Sequence, residues 1–244
     1  MRVLALDTAT EACSAAVLTE SGLVGIFREV GRGHAEQILE MIDAVLSEAG
    51  LTLGMLDGIA ASVGPGAFTG VRISLSVAQG LAYGAQLPVI PVTTLEALAL
   101  KAMRGGAHQA LACLDARMGE VYWGCFAADA AHLLVARGSP AVGPAGGVSL
   151  PFVDLSSPGS GPVHGIGRGF AAYPALQELP GVVLLPGASD ALPDASDMAR
   201  LGSVRLESGA GLDPADLIPL YLRDKVAMTE VERAAAKLAA GSGR

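Results

Sequence analysis

Along the first hundred residues the apolar positions change period several times, and each change marks an element. Val3–Thr8 is a short apolar run closed by polar residues, the pattern of a buried strand. Cys13–Thr19 and Leu23–Val30 are β-rich runs joined across Glu20-Ser21-Gly22, which reads as a hairpin. Over His34–Ala49 the period lengthens: Ile38, Met41, Ile42, Val45, Leu46 and Ala49 fall at i, i+3, i+4, i+7, i+8 and i+11. That is one face of an amphipathic helix, and Gly50 ends it. Gly58–Val63 is a strand, a Gly-Pro-Gly turn leads into a helix over Phe68–Tyr83, and Pro88–Val92 is a further strand. Thr93-Thr94-Leu95-Glu96 is a capping box opening a helix to about Met103.

The order β-β-β-α-β-α-β-α predicts an antiparallel meander followed by right-handed crossovers, hence a mixed sheet in the ribonuclease-H-like layout. The second half repeats it in worn form. Leu111-Ala112-Cys113-Leu114-Asp115-Ala116 resembles Leu4-Ala5-Leu6-Asp7-Thr8, and Glu120–Phe126 and His132–Ala136 add strands. Residues 138–162 read as an irregular Gly/Pro/Ser-rich connection in place of a helix. A helix near Gly169–Glu178, a strand at Val182–Leu185 and a helix near Ala195–Ser208 complete a reduced lobe. The expectation is an α/β chain of two ribonuclease-H-like lobes of the actin/Hsp70/sugar-kinase (ASKHA) superfamily, with a cleft between them. Its parts are residues 1–104, residues 105–212, and a C-terminal segment 213–244 that packs back on the first lobe.

The helix at Phe68–Tyr83 departs from ordinary amphipathicity. Phe68, Val71, Leu75, Ala78 and Ala82 make one apolar stripe, and Ile73, Val77 and Gly80 make another. Only Arg72, Ser76 and Gln79 form a narrow polar seam. A helix apolar almost all round is covered on both sides, and its sheet covers one. The preceding helix carries Leu39 off its main stripe. The two helices are therefore expected to offer an apolar surface to another chain, using His34, Ile38, Leu39, Met41, Ile42, Phe68, Arg72, Ser76 and Gln79. The competing expectation is that the second lobe or the C-terminal segment covers them.

Composition narrows the functions. The chain has 244 residues and a net charge of −8, so it is poorly suited to hold nucleic acid by itself. Its three cysteines, Cys13, Cys113 and Cys125, sit in apolar runs and read as small buried hydrophobes in a reducing compartment. The N-terminus reaches Asp7 too soon for a signal peptide, and Gln79, Gly80, Gln86, Pro88 and Pro91 break the longest uncharged run. A cytoplasmic protein with no membrane association is expected.

Candidate chemistry is sparse. Asp7-Thr8-Ala9-Thr10 ends the first strand and Asp115 ends its counterpart, so in this architecture two carboxylates could share a hydrated Mg²⁺ across the cleft. Asp7, Thr8, Thr10 and Asp115 are read as a vestigial nucleotide site, because Arg117 and Met118 interrupt the second phosphate loop. The plainer alternative is that Asp and Thr cap a tight turn. Gly64-Pro65-Gly66-Ala67-Phe68-Thr69-Gly70 lacks the lysine of a Walker loop, and its glycines serve equally to let backbones pack. His34, His108, His132 and His164 show no metal-ligand spacing, and no nucleophile–histidine pairing is evident. No catalytic residue, metal or resident cofactor is expected.

These residues resemble the TsaB family, the dimerisation subunit of the bacterial machinery that makes N6-threonylcarbamoyladenosine at adenosine 37 of tRNA. The resemblance is carried by Leu4-Ala5-Leu6-Asp7-Thr8-Ala9-Thr10, by His34 with Glu36, and by Gly64-Pro65-Gly66-Ala67-Phe68-Thr69-Gly70-Val71-Arg72-Ile73. Ala78-Gln79-Gly80-Leu81-Ala82, Asp115-Ala116-Arg117, Gly119-Glu120-Val121-Tyr122 and Pro219-Leu220-Tyr221-Leu222-Arg223 add to it. It implies a chain without transferase activity that binds the catalytic paralogue TsaD through the two helices and self-associates when alone. A P-loop ATPase, TsaE, joins the assembly, ATP and Mg²⁺ belong to the partner subunits, and tRNA is met only through the complex. The rival expectation is a stand-alone ASKHA-type phosphotransferase or ATPase using Asp7 and Asp115. A third, a peptidase, needs a nucleophile or metal site that the residues do not supply.

Overall fold

The computed structural model describes residues 1–131, 133–150 and 161–223. Its first sheet is built from β1 (Val3–Asp7), β2 (Ala12–Thr19), β3 (Gly22–Glu29), β4 (Gly58–Ser62) and β5 (Val89–Val92), in the order β3-β2-β1-β4-β5. The meander β1-β2-β3 is antiparallel, and β4 and β5 add in parallel through helical crossovers. Every β1 side chain is buried, as expected of a central strand covered on both faces.

The second sheet repeats this plan with β6 (Gln109–Arg117), β7 (Glu120–Ala128), β8 (Leu134–Ala136), β9 (Ala141–Pro144), β10 (Val163–Ile166) and β11 (Val182–Leu184). Its order is β11-β10-β6-β7-β8, with β9 also paired to β7. Thus β6 occupies the place of β1 and β7 that of β2, and the strands matched by sequence are matched in position. The connection expected to be irregular over 138–162 instead begins with a strand, because Glu120–Trp123 leaves a ladder edge that Ala141–Pro144 fills. Residues 151–160 of that connection, His132, and residues 224–244 of the C-terminal segment lie outside the described residues.

Helices α1 (His34–Glu48) and α2 (Phe68–Ala85) cover one face of the first sheet. Their buried stripes, Ile38-Met41-Ile42-Val45-Leu46 and Val71-Leu75-Ala78-Ala82, meet Leu4, Leu6, Ile59 and Ala61. Helix α3 (Thr94–Arg104) packs mainly on the second sheet through Leu95, Leu98, Ala99 and Ala102, and α4 (Gly169–Ala172) lies on the other side of that sheet. Helix α5 (Ala195–Glu207) covers the opposite face of the first sheet. The capping box forms as expected, with the Thr93 side chain accepting from the Glu96 N–H and the Glu96 carboxylate accepting from the Thr93 N–H.

Two helices lie elsewhere than expected: α3, expected in the first lobe, packs mainly on the second sheet, and α5 packs on the first. The apolar pattern gives Ala195–Ser208 to the second lobe, yet α5 packs on the first sheet, with Ala195, Met198 and Ala199 against Val3, Ala5, Ala16 and Ala60. Small residues on both sides allow that approach. Salt bridges from Arg104 to Asp197 (2.7 Å) and from Arg205 to Glu96 fix α5 to α3. Periodicity shows which face of a helix is apolar and is silent on which sheet receives it.

Candidate functional site

Asp7 is the last residue of β1 and Asp115 lies two residues before the end of β6, where the two central strands approach a cleft of about 680 Å³. Asp115 lines it together with Thr10, Glu11, His34, Arg117 and Arg168. Asp7 does not. It is fully buried beneath its own turn, where Oδ1 accepts the Ala9 N–H at 2.9 Å and Oδ2 has no hydrogen-bond partner. Burial pushes its carboxyl up to about 6, partly offset by the Ala9 N–H and by Ser62.

The Gly-Pro-Gly loop and the first turn of α2 pack tightly on the turn that follows Asp7. A Cβ on Gly66 would stand 2.1 Å from the Ala9 carbonyl oxygen, and one on Gly70 2.1 Å from that of Thr8. Only glycine permits such an approach. The Ala67 N–H donates to Ala9 O (2.7 Å), and Thr8 Oγ1 donates to Gly70 O (2.7 Å). The loop therefore settles on the turn where phosphate would need free N–H donors, and satisfies itself with carbonyls instead.

Asp115 is also engaged. It accepts from the Arg117 N–H (2.7 Å) and the Tyr173 hydroxyl (3.1 Å), and its other oxygen pairs with the Arg117 guanidinium at 3.0 Å. Thr10 accepts the Ala12 N–H on Oγ1 (3.2 Å). The four residues expected at a nucleotide site are thus not brought together: Asp7 and Thr8 are sealed, Thr10 and Asp115 face the cleft, and the second carboxylate is neutralised by its own strand's arginine. This donor set does not fit a hydrated Mg²⁺ shared by two acids.

Ion pairs cross the cleft. Arg168 grips Glu29 through two 2.8 Å contacts, reaches Asp190 at 2.8 Å and lies 3.9 Å from Glu11, while Arg117 meets Glu11 at 2.8 Å. On the other rim Leu220 N–H donates to Val63 O (2.8 Å) and Arg223 pairs with Glu120. The lobes are fastened together on both sides.

The outer face of α1 and α2 corrects several expectations. Ile38, Met41 and Ile42, expected to meet a partner, are 0%, 1% and 4% exposed and belong to the core, because their stripe points at the chain's own sheet. His34 turns to the cleft, where Nε2 lies 2.9 Å from the Thr10 carbonyl and must carry the proton of that bond. Gln79 faces its own chain: Nε2 donates to Pro214 O (2.9 Å) and Leu217 O (3.1 Å). The C-terminal segment thus covers one flank of α2, as the competing expectation held, and leaves the other open. That open side carries Leu39 (53% exposed) from α1 and Phe68 (48%), Arg72, Ser76, Gly80 and Tyr83 (80%) from α2. Sequence reasoning missed Tyr83, Ile218 and Tyr221. The run Pro219–Arg223 carried the only signal, as a motif without an assigned role.

A family model described as TsaD, tRNA N6-adenosine threonylcarbamoyltransferase, matches residues 17–231. The tRNA threonylcarbamoyladenosine biosynthesis protein TsaB of Escherichia coli K12 is 39% identical over 228 residues, which cover 93% of this chain and 96% of that one. The protein of the same name from Haemophilus influenzae is 36% identical, covering 93% and 95%. The chain belongs to the TsaB family. Among solved structures, YeaZ from Pseudomonas aeruginosa superposes on this chain with a TM-score of 0.81 at 38% identity, covering 91% of this chain and 99% of the other. A second crystal structure, of an uncharacterized protein from Pseudomonas aeruginosa with similarity to peptidase YeaZ, gives 0.82 at the same identity and coverage.

Peptidase chemistry finds no activated thiol at the one cysteine near a cleft histidine. Cys13 Sγ lies 3.9 Å from the His34 carbonyl oxygen, and burial pushes the thiol up to about 11, away from a reactive thiolate. Among the described residues no group of three or more His, Cys, Asp or Glu is placed to hold a metal ion, and no helix is long and apolar enough to cross a membrane.

Proposed function

We propose that this chain is a docking subunit in tRNA threonylcarbamoyladenosine biosynthesis, and that the open side of α1 and α2 receives a catalytic subunit of the TsaD kind. The supporting observation is the exposed row Phe68, Arg72, Ser76, Gly80 at four-residue spacing, flanked by Leu39 and Tyr83. Rows at that spacing form the ridges by which helices interlock, and small residues at Ser76 and Gly80 let a second helix come close. In this reading the chain carries out no transfer itself and brings no cofactor. ATP and Mg²⁺ sit on partner subunits, including a TsaE-like ATPase, tRNA is engaged through the assembled complex, and two copies of the chain pair through the same face when the partner is absent.

Ser76→Glu tests this directly. A charge buried without a partner at an interface destabilises it by several kcal/mol. The variant should fold with wild-type stability, because Ser76 is exposed, and should fail to co-purify with the catalytic subunit. Undiminished co-purification would contradict the assignment. A phosphotransferase using Asp7 and Asp115 predicts micromolar Mg²⁺-ATP binding in calorimetry, and the sealed Asp7 speaks against it.

A further inference from the structure

The docking face contains one feature that shape and apolarity leave unexplained. Arg72 is the only charged residue of α2, and its guanidinium lies 3.6 Å over the Phe68 ring. Its Nε donates to the Tyr221 hydroxyl at 3.1 Å, and the Tyr221 ring stacks on Phe68 with centroids 6.0 Å apart and planes 24° from parallel. Arg72 is exposed. It pairs with no carboxylate among the described residues, and neither do Arg28, Arg32, Arg137 and Arg200; what sets Arg72 apart is that two aromatic side chains hold it.

An exposed arginine ordinarily samples many rotamers, and fixing it opposes binding. Here that ordering is already made, by groups that use one of its five donors and leave the fork for something else. Tyr221 is itself held in place. The segment Pro214–Arg223 is anchored by the two Gln79 hydrogen bonds, by Leu220 N–H to Val63 O, and by Leu217, which is 2% exposed in the core. A chain ends up spending four anchoring contacts to hold one tyrosine beside one arginine.

We infer that Arg72, oriented by Phe68 and Tyr221, recognises a carboxylate on the partner protein, and that the segment Pro214–Arg223 is part of the docking surface because it positions Arg72. The inference rests on the docking role of the α1–α2 face. Charge complementarity selects the occupant. The row on which Arg72 sits is otherwise uncharged, so an acidic side chain is the group whose burial there would be compensated. Gln79 and Tyr221 are positioning residues in this account.

The test measures affinity for the purified TsaD-type catalytic subunit by calorimetry, at low and high salt, for Arg72→Met, Arg72→Lys, Tyr221→Ala and the double variant Arg72→Met/Tyr221→Ala. Melting curves check that each chain folds. Both Arg72 variants should bind at least tenfold more weakly at low salt, since a lysine lacks the planar fork, and the gap to wild type should narrow at high salt. Tyr221→Ala should weaken binding in the wild-type background and add little in the Arg72→Met background, a non-additivity that a merely structural role would not produce. Wild-type affinity in Arg72→Met, or a lysine that substitutes fully, would overturn the inference. So would an Arg72→Met chain that binds the subunit normally while the assembled complex loses affinity for tRNA, because the anion would then be an RNA phosphate. Failure of Ser76→Glu to disturb binding would instead remove the docking reading itself, and the two failures are distinguishable.

Discussion

Asp7 stands at the end of a central strand, fully buried, with no counter-cation among the described residues and one oxygen unpartnered. Its carboxyl is raised from 3.8 to about 6 by burial, so the folded chain holds this proton more tightly than the unfolded one. Stability contributed by that proton is present below about pH 4 and is lost as the pH rises towards 6. Asp7→Asn keeps the acceptor for the Ala9 N–H and removes the buried charge, so it should stabilise the chain at pH 8 by up to about 3 kcal/mol. The gain should shrink as the pH falls to 5. Urea unfolding at the two pH values decides; an Asn variant that is less stable at pH 8 would show that the charged form is wanted there. The sequence placed Asp7 correctly at a strand end. It could not show that Gly66 and Gly70 would press against the Thr8 and Ala9 carbonyls of the turn that follows it, because a close approach between distant segments leaves no local pattern.

The same glycines divide the element scale. Gly70→Ala should destabilise the fold by several kcal/mol, since a methyl cannot share space with the Thr8 carbonyl. Gly80, on the same helix, has nothing within 4 Å of its missing Cβ. Gly80→Ala should therefore stabilise the isolated chain by about 1 kcal/mol, the ordinary helix-propensity difference. Thermal melts of the pair check both, and equal effects would mean that the close contact at Gly70 is misplaced. Helices α1 and α2 were legible from their periods to within a residue or two. Which stripe faced outward was less so: Ile38, Met41 and Ile42 form the most regular apolar row of α1, and regularity is what a core demands. The outward row of α2 was found because that helix is apolar beyond what one sheet can cover. Tyr221 stayed hidden because it reaches the face from 149 residues away.

At the scale of the whole molecule, the duplicated sheets were readable from the kinship of Leu4–Thr8 with Leu111–Ala116, whereas the return of α5 to the first sheet was not. The lobes are joined by the Arg168 and Arg117 clusters on one rim and by Leu220 and Arg223 on the other. Arg168→Met should lower stability by about 1 kcal/mol, a modest figure because Glu29 and Asp190 are largely exposed. Its deficit should shrink in 1 M salt as screening weakens the wild-type pairs. Melting curves at two salt concentrations check this, and a deficit unchanged by salt would assign the loss to packing.

The central claim is that a second protein covers the open side of α1 and α2. A cysteine placed at Ser76, in a chain whose Cys13, Cys113 and Cys125 are replaced by alanine, offers the most direct measurement, with Glu207→Cys on the outer side of α5 as the control. Maleimide labelling of the free chain, diluted until it runs as a monomer, should be fast at both sites. Addition of the TsaD-type catalytic subunit should suppress labelling at position 76 and leave position 207 unchanged. Equal labelling of position 76 with and without the subunit, under conditions where the two proteins co-elute, would contradict the account.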